Sequence, residues 1–140
     1  MISTKGRYAV RVMIDLAEQN SANPVTLDSI AMRQNISKKY LESIVKNLVK
    51  QGLLKSSSGK GGGYLLTRDP EMYNILEILE ATELTMAPAA CLEKGAKECT
   101  RRPNCKTLHM WTNYYELTKR YFSGITIKDL IQEKPLDFVI

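Results

Sequence analysis

The sequence predicts a mainly α fold with one small β-hairpin, and three observations carry that prediction. Three amphipathic stretches with helical spacing fill residues 4–51. A glycine-rich segment between two apolar pairs follows them directly. Near the C-terminus, one long stretch is apolar on so much of its circumference that it must be buried on two sides.

The first helix is read from "TKGRYAVRVMIDLAEQN", where Ala9, Val12, Met13, Leu16 and Ala17 recur at helical spacing. "NSANP" ends it. Thr26 caps a second, short helix with Asp28 in its first turn and Leu27, Ile30 and Ala31 inward, stopping near Asn35. Ser37 caps the third, "KKYLESIVKNLVKQ", whose Leu41, Ile44, Val45, Leu48 and Val49 form one stripe. Gly52 then stands where a helix-ending glycine belongs. Two helices joined by "NIS" make a helix-turn-helix.

"LLKSSSGKGGGYLL" has the pattern of a hairpin with a glycine-rich tip. No Gly-Lys-Ser/Thr follows and no helix opens there, which argues against a nucleotide-binding loop. Three helices and a hairpin in this order are a winged helix-turn-helix. Downstream, Asn74 caps "ILEILEA", with Ile75, Ile78 and Leu79 inward, and "TELTMAPAA" breaks it. The long helix runs from about Lys106 to Gly124. Leu108, Trp111, Tyr115, Thr118 and Phe122 lie on one face; Met110, Tyr114, Leu117 and Tyr121 line another. So small a domain cannot cover such a helix alone, so a partner chain is expected to, with Trp111, Tyr115 and Phe122 at that interface. "ITIKDLIQ", capped by Thr126, closes the chain. The expected division is a DNA-binding domain at 1–83, a cysteine-bearing loop at 84–106, and a dimerisation helix with a C-terminal segment at 107–140.

Charge points to a polyanion. The net charge is +5, but residues 33–60 carry seven basic side chains against the single acid Glu42, while residues 61–98 carry seven acids against three bases. Charge alone fits a solvated lysine-rich surface equally well, but with a helix-turn-helix and a wing both present, a double-stranded DNA operator is the expected partner. Ser37, Lys38, Lys39, Tyr40, Glu42, Ser43 and Lys46 of the third helix would face the major groove, with Lys60 at the wing tip. Lysines would mostly meet phosphate; Ser, Tyr and Glu can touch base edges. No apolar run is long enough to span a bilayer and the N-terminus has no secretory pattern, so a cytoplasmic location is expected. No nucleophile–base pair has a spacing that suggests an enzyme.

All three cysteines and the single histidine fall in one short segment. Seven residues separate Cys91 from Cys99, five separate Cys99 from Cys105, and three separate Cys105 from His109. Structural zinc ligands usually pair two to four residues apart, so these gaps favour zinc less than a larger iron–sulfur cluster. Electron transfer and zinc- or thiol-based repression remain the alternatives.

"STKGRYAVRVMIDLA", "SKKYLESIVKNLVKQGLLKSS", "GKGGGYLLTRDP" and the spaced cysteines together resemble the bacterial Rrf-type winged-helix regulators over nearly the whole chain. The nearest likeness is to the iron–sulfur cluster regulator and nitric-oxide-sensing repressor branches. The resemblance implies a homodimer packed through the long helix. It also implies a regulator, such as a repressor, modulated by an iron–sulfur cluster, 2Fe-2S in preference to 4Fe-4S, on Cys91, Cys99, Cys105 and His109. Three departures mark this chain. The cluster regulator's histidine falls three positions after the last cysteine, where Leu108 stands here. Arg7 occupies the position of a carboxylate ligand in nitric-oxide-sensing relatives. Ser58 replaces an arginine before the wing's first glycine, which leaves Ser58 and Lys60 as the wing's expected DNA contacts.

Overall fold

A computed structural model gives the fold and describes residues 1–136; positions 137–140 of the expected C-terminal segment lie outside the described residues. Helix α1 spans Thr4–Gln19, α2 Leu27–Gln34 and α3 Lys38–Lys50; strands β1 (Leu54–Ser57) and β2 (Gly63–Leu66) form the hairpin. Helices α4 (Ile75–Thr82), α5 (Leu108–Ser123) and α6 (Ile127–Ile131) follow.

Each expected cap is in place. The hydroxyls of Thr26 and Ser37 accept from the backbone N–H of Ser29 and Tyr40 at 3.2 Å each. Asn74 and Thr126 form reciprocal capping boxes with Glu77 and Asp129. At the end of α3, Gly52 adopts φ +74°, and Leu53 N–H returns to Leu48 C=O at 2.9 Å. This left-handed turn stops the helix and launches β1.

The predicted stripes converge on one core. Val12 and Met13 of α1, Ile30 of α2, and Leu41, Ile44 and Leu48 of α3 are fully buried, with Ile78 of α4 among them. The hairpin is antiparallel, with Leu54 opposite Leu66 and Ser57 opposite Gly63. A bridge between Val25 and Tyr64, bonded both ways at 2.9 and 2.8 Å, ties β2 to the segment leading into α2. Gly63 makes that approach possible: its φ is +153°, and a Cβ there would lie 2.3 Å from Val25 C=O.

Two features go beyond the expected division of the chain. The segment after α5 returns to the N-terminal core, where Ile125 and Ile127 are buried and Ile127 N–H bonds Tyr73 C=O at 3.1 Å. Helix α5 itself buries no residue completely within the single chain; only Phe122 among its expected interface residues packs partly on the core.

Candidate nucleic-acid interface and cysteine loop

The helix-turn-helix is held on α1 by a buried carboxylate. Asp15 is 3% exposed and would be costly there without partners. Arg33 of α2 meets it with both arms of its guanidinium, Nε at 3.0 Å and Nη2 at 2.8 Å, and Gln34 Nε2 adds a third bond at 2.9 Å. The expectation had counted Arg33 as part of a basic surface block; the fold uses it as a strut. Asp15 lies three residues after Val12, at the margin of the apolar stripe of α1, and that position was the signal available in the sequence.

The predicted contact residues divide by exposure. Lys39, Glu42 and Lys46, spaced three and four apart, stand exposed along one line of α3. Lys38 is exposed but ion-paired to Asp28 at 3.0 Å. Ser37 is exposed, yet its hydroxyl caps the helix. Ser43 and Tyr40 are half-buried; Ser43 Oγ donates to Tyr40 C=O at 2.8 Å, and the Tyr40 ring packs edge-on to Tyr8. Ser58 and Lys60 are exposed at the wing tip.

The base of the wing depends on a residue not singled out from the sequence. Tyr73 is fully buried, and its hydroxyl donates to Leu53 C=O at 2.8 Å while accepting from the N–H groups of Thr67 (2.7 Å) and Arg68 (3.1 Å). One phenol thereby joins the entry and exit of the hairpin. The Arg68 guanidinium, ion-paired to Glu77, covers the ring at 5.0 Å.

The cysteine loop is open. Cys91 and Cys99 are exposed and Cys105 is half-buried; all three are free thiols. Cys91 lies in the short turn Ala90–Leu92, and Cys105 ends the turn Arg102–Asn104 in an extended conformation. Helix α5 starts at Leu108 after Thr107, so Cys105 precedes it and shares no helical face with the exposed His109. The Thr107 hydroxyl, 3.5 Å from the sulfur, holds the Cys105 thiol below its ordinary range; neighbouring backbone N–H groups and Arg101 act in the same direction.

In kind, three free thiols and an imidazole suit iron. Among the described residues, however, no group of three or more His, Cys, Asp or Glu side chains stands close enough to hold a metal ion. The structure thus places the three cysteines in the loop before α5 and His109 in the first turn of that helix, without bringing the four together. No helix among the described residues is long and apolar enough to cross a membrane.

Residues 2–133 match the model of the Rrf2 family, described as iron-dependent transcriptional regulators. The chain is 35% identical over 133 residues to the HTH-type transcriptional regulator IscR of Escherichia coli, covering 95% of this chain and 81% of that protein. In structure it is similar to CymR, the global cysteine regulator of B. subtilis, with a TM-score of 0.74 and 30% identity over 96% of this chain and 98% of that one. T. potens IscR also gives a TM-score of 0.74, at 32% identity over 96% and 88% of the respective chains.

Proposed function

This chain belongs to the Rrf2 family of transcriptional regulators, and from that premise we propose that it is a homodimeric, cytoplasmic repressor whose operator affinity is set by an iron–sulfur cluster. The observation that carries the reading is the coincidence of a winged DNA-binding domain with three free thiols that all fall in the loop before α5. Exposed Lys39 and Lys46 would neutralise phosphate, and Glu42 between them would sample base edges. Cys91, Cys99 and Cys105 would hold the cluster, with His109 as the fourth ligand. Bound there, the cluster would supply a redox- or nitric-oxide-sensitive centre. Its state would act by linkage, through whatever free energy separates the DNA-binding poses of the two states.

A second reading has its own support. The likeness to CymR, a cysteine regulator by its title, fits a thiol-based repressor of sulfur metabolism that uses the exposed cysteines without iron. Electron transfer draws no support from relatives that are transcriptional regulators rather than enzymes or carriers.

One preparation separates these readings. Purified without oxygen, the protein should be coloured and carry iron and sulfide in a ratio that gives the nuclearity. Replacing Cys91, Cys99 or Cys105 with Ala should abolish or destabilise the cluster, leave the winged fold intact, and change operator affinity. A colourless protein containing zinc or no metal would reject the cluster and leave the thiol-based reading.

A further inference from the structure

Arg11 lies on α1, outside the helix-turn-helix, yet it touches one end of its turn directly and reaches the other through the Tyr8 ring. At the entry, Arg11 Nη2 donates to the backbone C=O of Gln34, the last residue of α2, and Arg11 Nε donates to the Gln34 side-chain oxygen at 3.2 Å. A carbonyl in the last turn of a helix has no partner within that helix, and a cation there also complements the helix dipole. The other end of the same Gln34 amide donates to buried Asp15 at 2.9 Å. At the exit, Tyr40 in the first turn of α3 packs edge-on to Tyr8, with ring centres 5.8 Å apart at 73°. The Arg11 guanidinium lies 4.9 Å from the centre of that Tyr8 ring.

We propose that Arg11 is a positioning residue for operator recognition: by joining Gln34 to Tyr8 and Tyr40, it fixes the orientation of α3 relative to α1. The role rests on α3 being the reading helix, as argued above. Apolar burial of Val12, Met13, Ile30, Leu41 and Ile44 already holds the three helices together. That force is non-directional and sets contact more strictly than rotation. Hydrogen bonds and edge-on ring contacts are directional, and base edges are read by directional bonds in turn. A polar clamp at the turn is therefore where small rotations of α3 are controlled.

The test uses the full chain, a duplex selected from a randomised pool by the wild-type protein, and a scrambled duplex of equal length. Arg11→Met and Arg11→Lys should each weaken binding to the selected duplex about tenfold and to the scrambled one less than about twofold, with the salt slope unchanged. Lysine keeps the charge over Tyr8 but lacks the fork for Gln34. Tyr8→Phe should retain selectivity and Tyr8→Leu should lose it. Thermal unfolding checks that each variant is folded at the assay temperature; a merely structural role would move the melting point and not the ratio between duplexes. Equal losses on both duplexes with a reduced salt slope would make Arg11 a phosphate contact and overturn the proposal, as would full selectivity in Arg11→Lys. If Glu42→Ala and Lys46→Ala both bind like wild type, α3 is not the reader and the premise falls. If they act while Arg11→Lys does not, only the positioning role falls.

Discussion

On the exposed line of α3, Glu42 stands between Lys39 and Lys46, and opposite charges there imply opposite duties. Replacing Lys39 or Lys46 with Ala should weaken binding to all duplexes and lower the salt slope by up to about one unit each. Lys38 already shares its charge with Asp28, so Lys38→Ala should cost less. Glu42→Ala should instead alter which operators are preferred, because a carboxylate selects a cytosine amine and repels phosphate. Titrations at several salt concentrations on two operator variants separate these outcomes; a uniform loss for Glu42→Ala would contradict its role. Tyr73 is the residue-scale test of the fold. Tyr73→Phe keeps the ring but strands the N–H groups of Thr67 and Arg68 and leaves Leu53 C=O only the longer 3.4 Å bond from the Thr67 hydroxyl. Urea unfolding should show a loss of about 1–3 kcal/mol, with faster amide exchange at Thr67.

Among the elements, the wing and α6 make the sharpest demands. Gly63→Ala puts a Cβ 2.3 Å from Val25 C=O at a backbone angle that L-residues rarely adopt. The bridge between Val25 and Tyr64 should break, and DNA affinity should fall more than thermal stability, since Val25 and Tyr64 are only partly buried and pack at the edge of the core. Gel shifts and melting curves on the same sample measure both. The Asp129 carboxylate in the α6 capping box is held below the usual carboxylate range, first by its bond from the Thr126 backbone N–H. A depressed folded-state pKa contributes stability that is present above the unfolded value and lost as pH falls through the folded one. Wild-type stability should therefore decline in mildly to strongly acidic solution with a component that Asp129→Asn lacks; equal acid slopes for the two proteins would contradict this.

At the scale of the whole molecule, α5 leaves Met110, Trp111, Tyr114 and Leu117 exposed at 53%, 40%, 54% and 46%. Large apolar side chains this exposed on one helix are the expected signature of a covered face. A second copy is the proposed cover, with Trp111, Tyr115 and Phe122 at or beside it. Burying a large aromatic is worth on the order of 1.5–3 kcal/mol, so Trp111→Ala should shift the monomer–dimer equilibrium toward monomer. Sedimentation across a concentration series reads that shift; a wild-type protein that stays monomeric at micromolar concentration would refute the dimer.

The sequence by itself determined the helices of the N-terminal domain, their caps, the hairpin and the inward stripes, because each is encoded by neighbours within about ten residues. Ser37 caps where it stands, and Gly52 turns the chain left-handed wherever α3 ends. The family likeness was equally legible, resting on contiguous motifs and cysteine spacing. Tertiary structure alone decided what depends on distant partners. Arg33 became a strut because Asp15, eighteen positions earlier in the chain, faces it across two helices. Tyr73 became the wing's anchor because Leu53 and Thr67 converge on one hydroxyl. Cys105 ends the turn before α5 while His109 lies on that helix, so the two share no helical face although three residues alone separate them. Caps and stripes are local, whereas struts, anchors and ligand sets require groups far apart in the chain to meet, and burial and directional bonding settle that only once the whole core has formed.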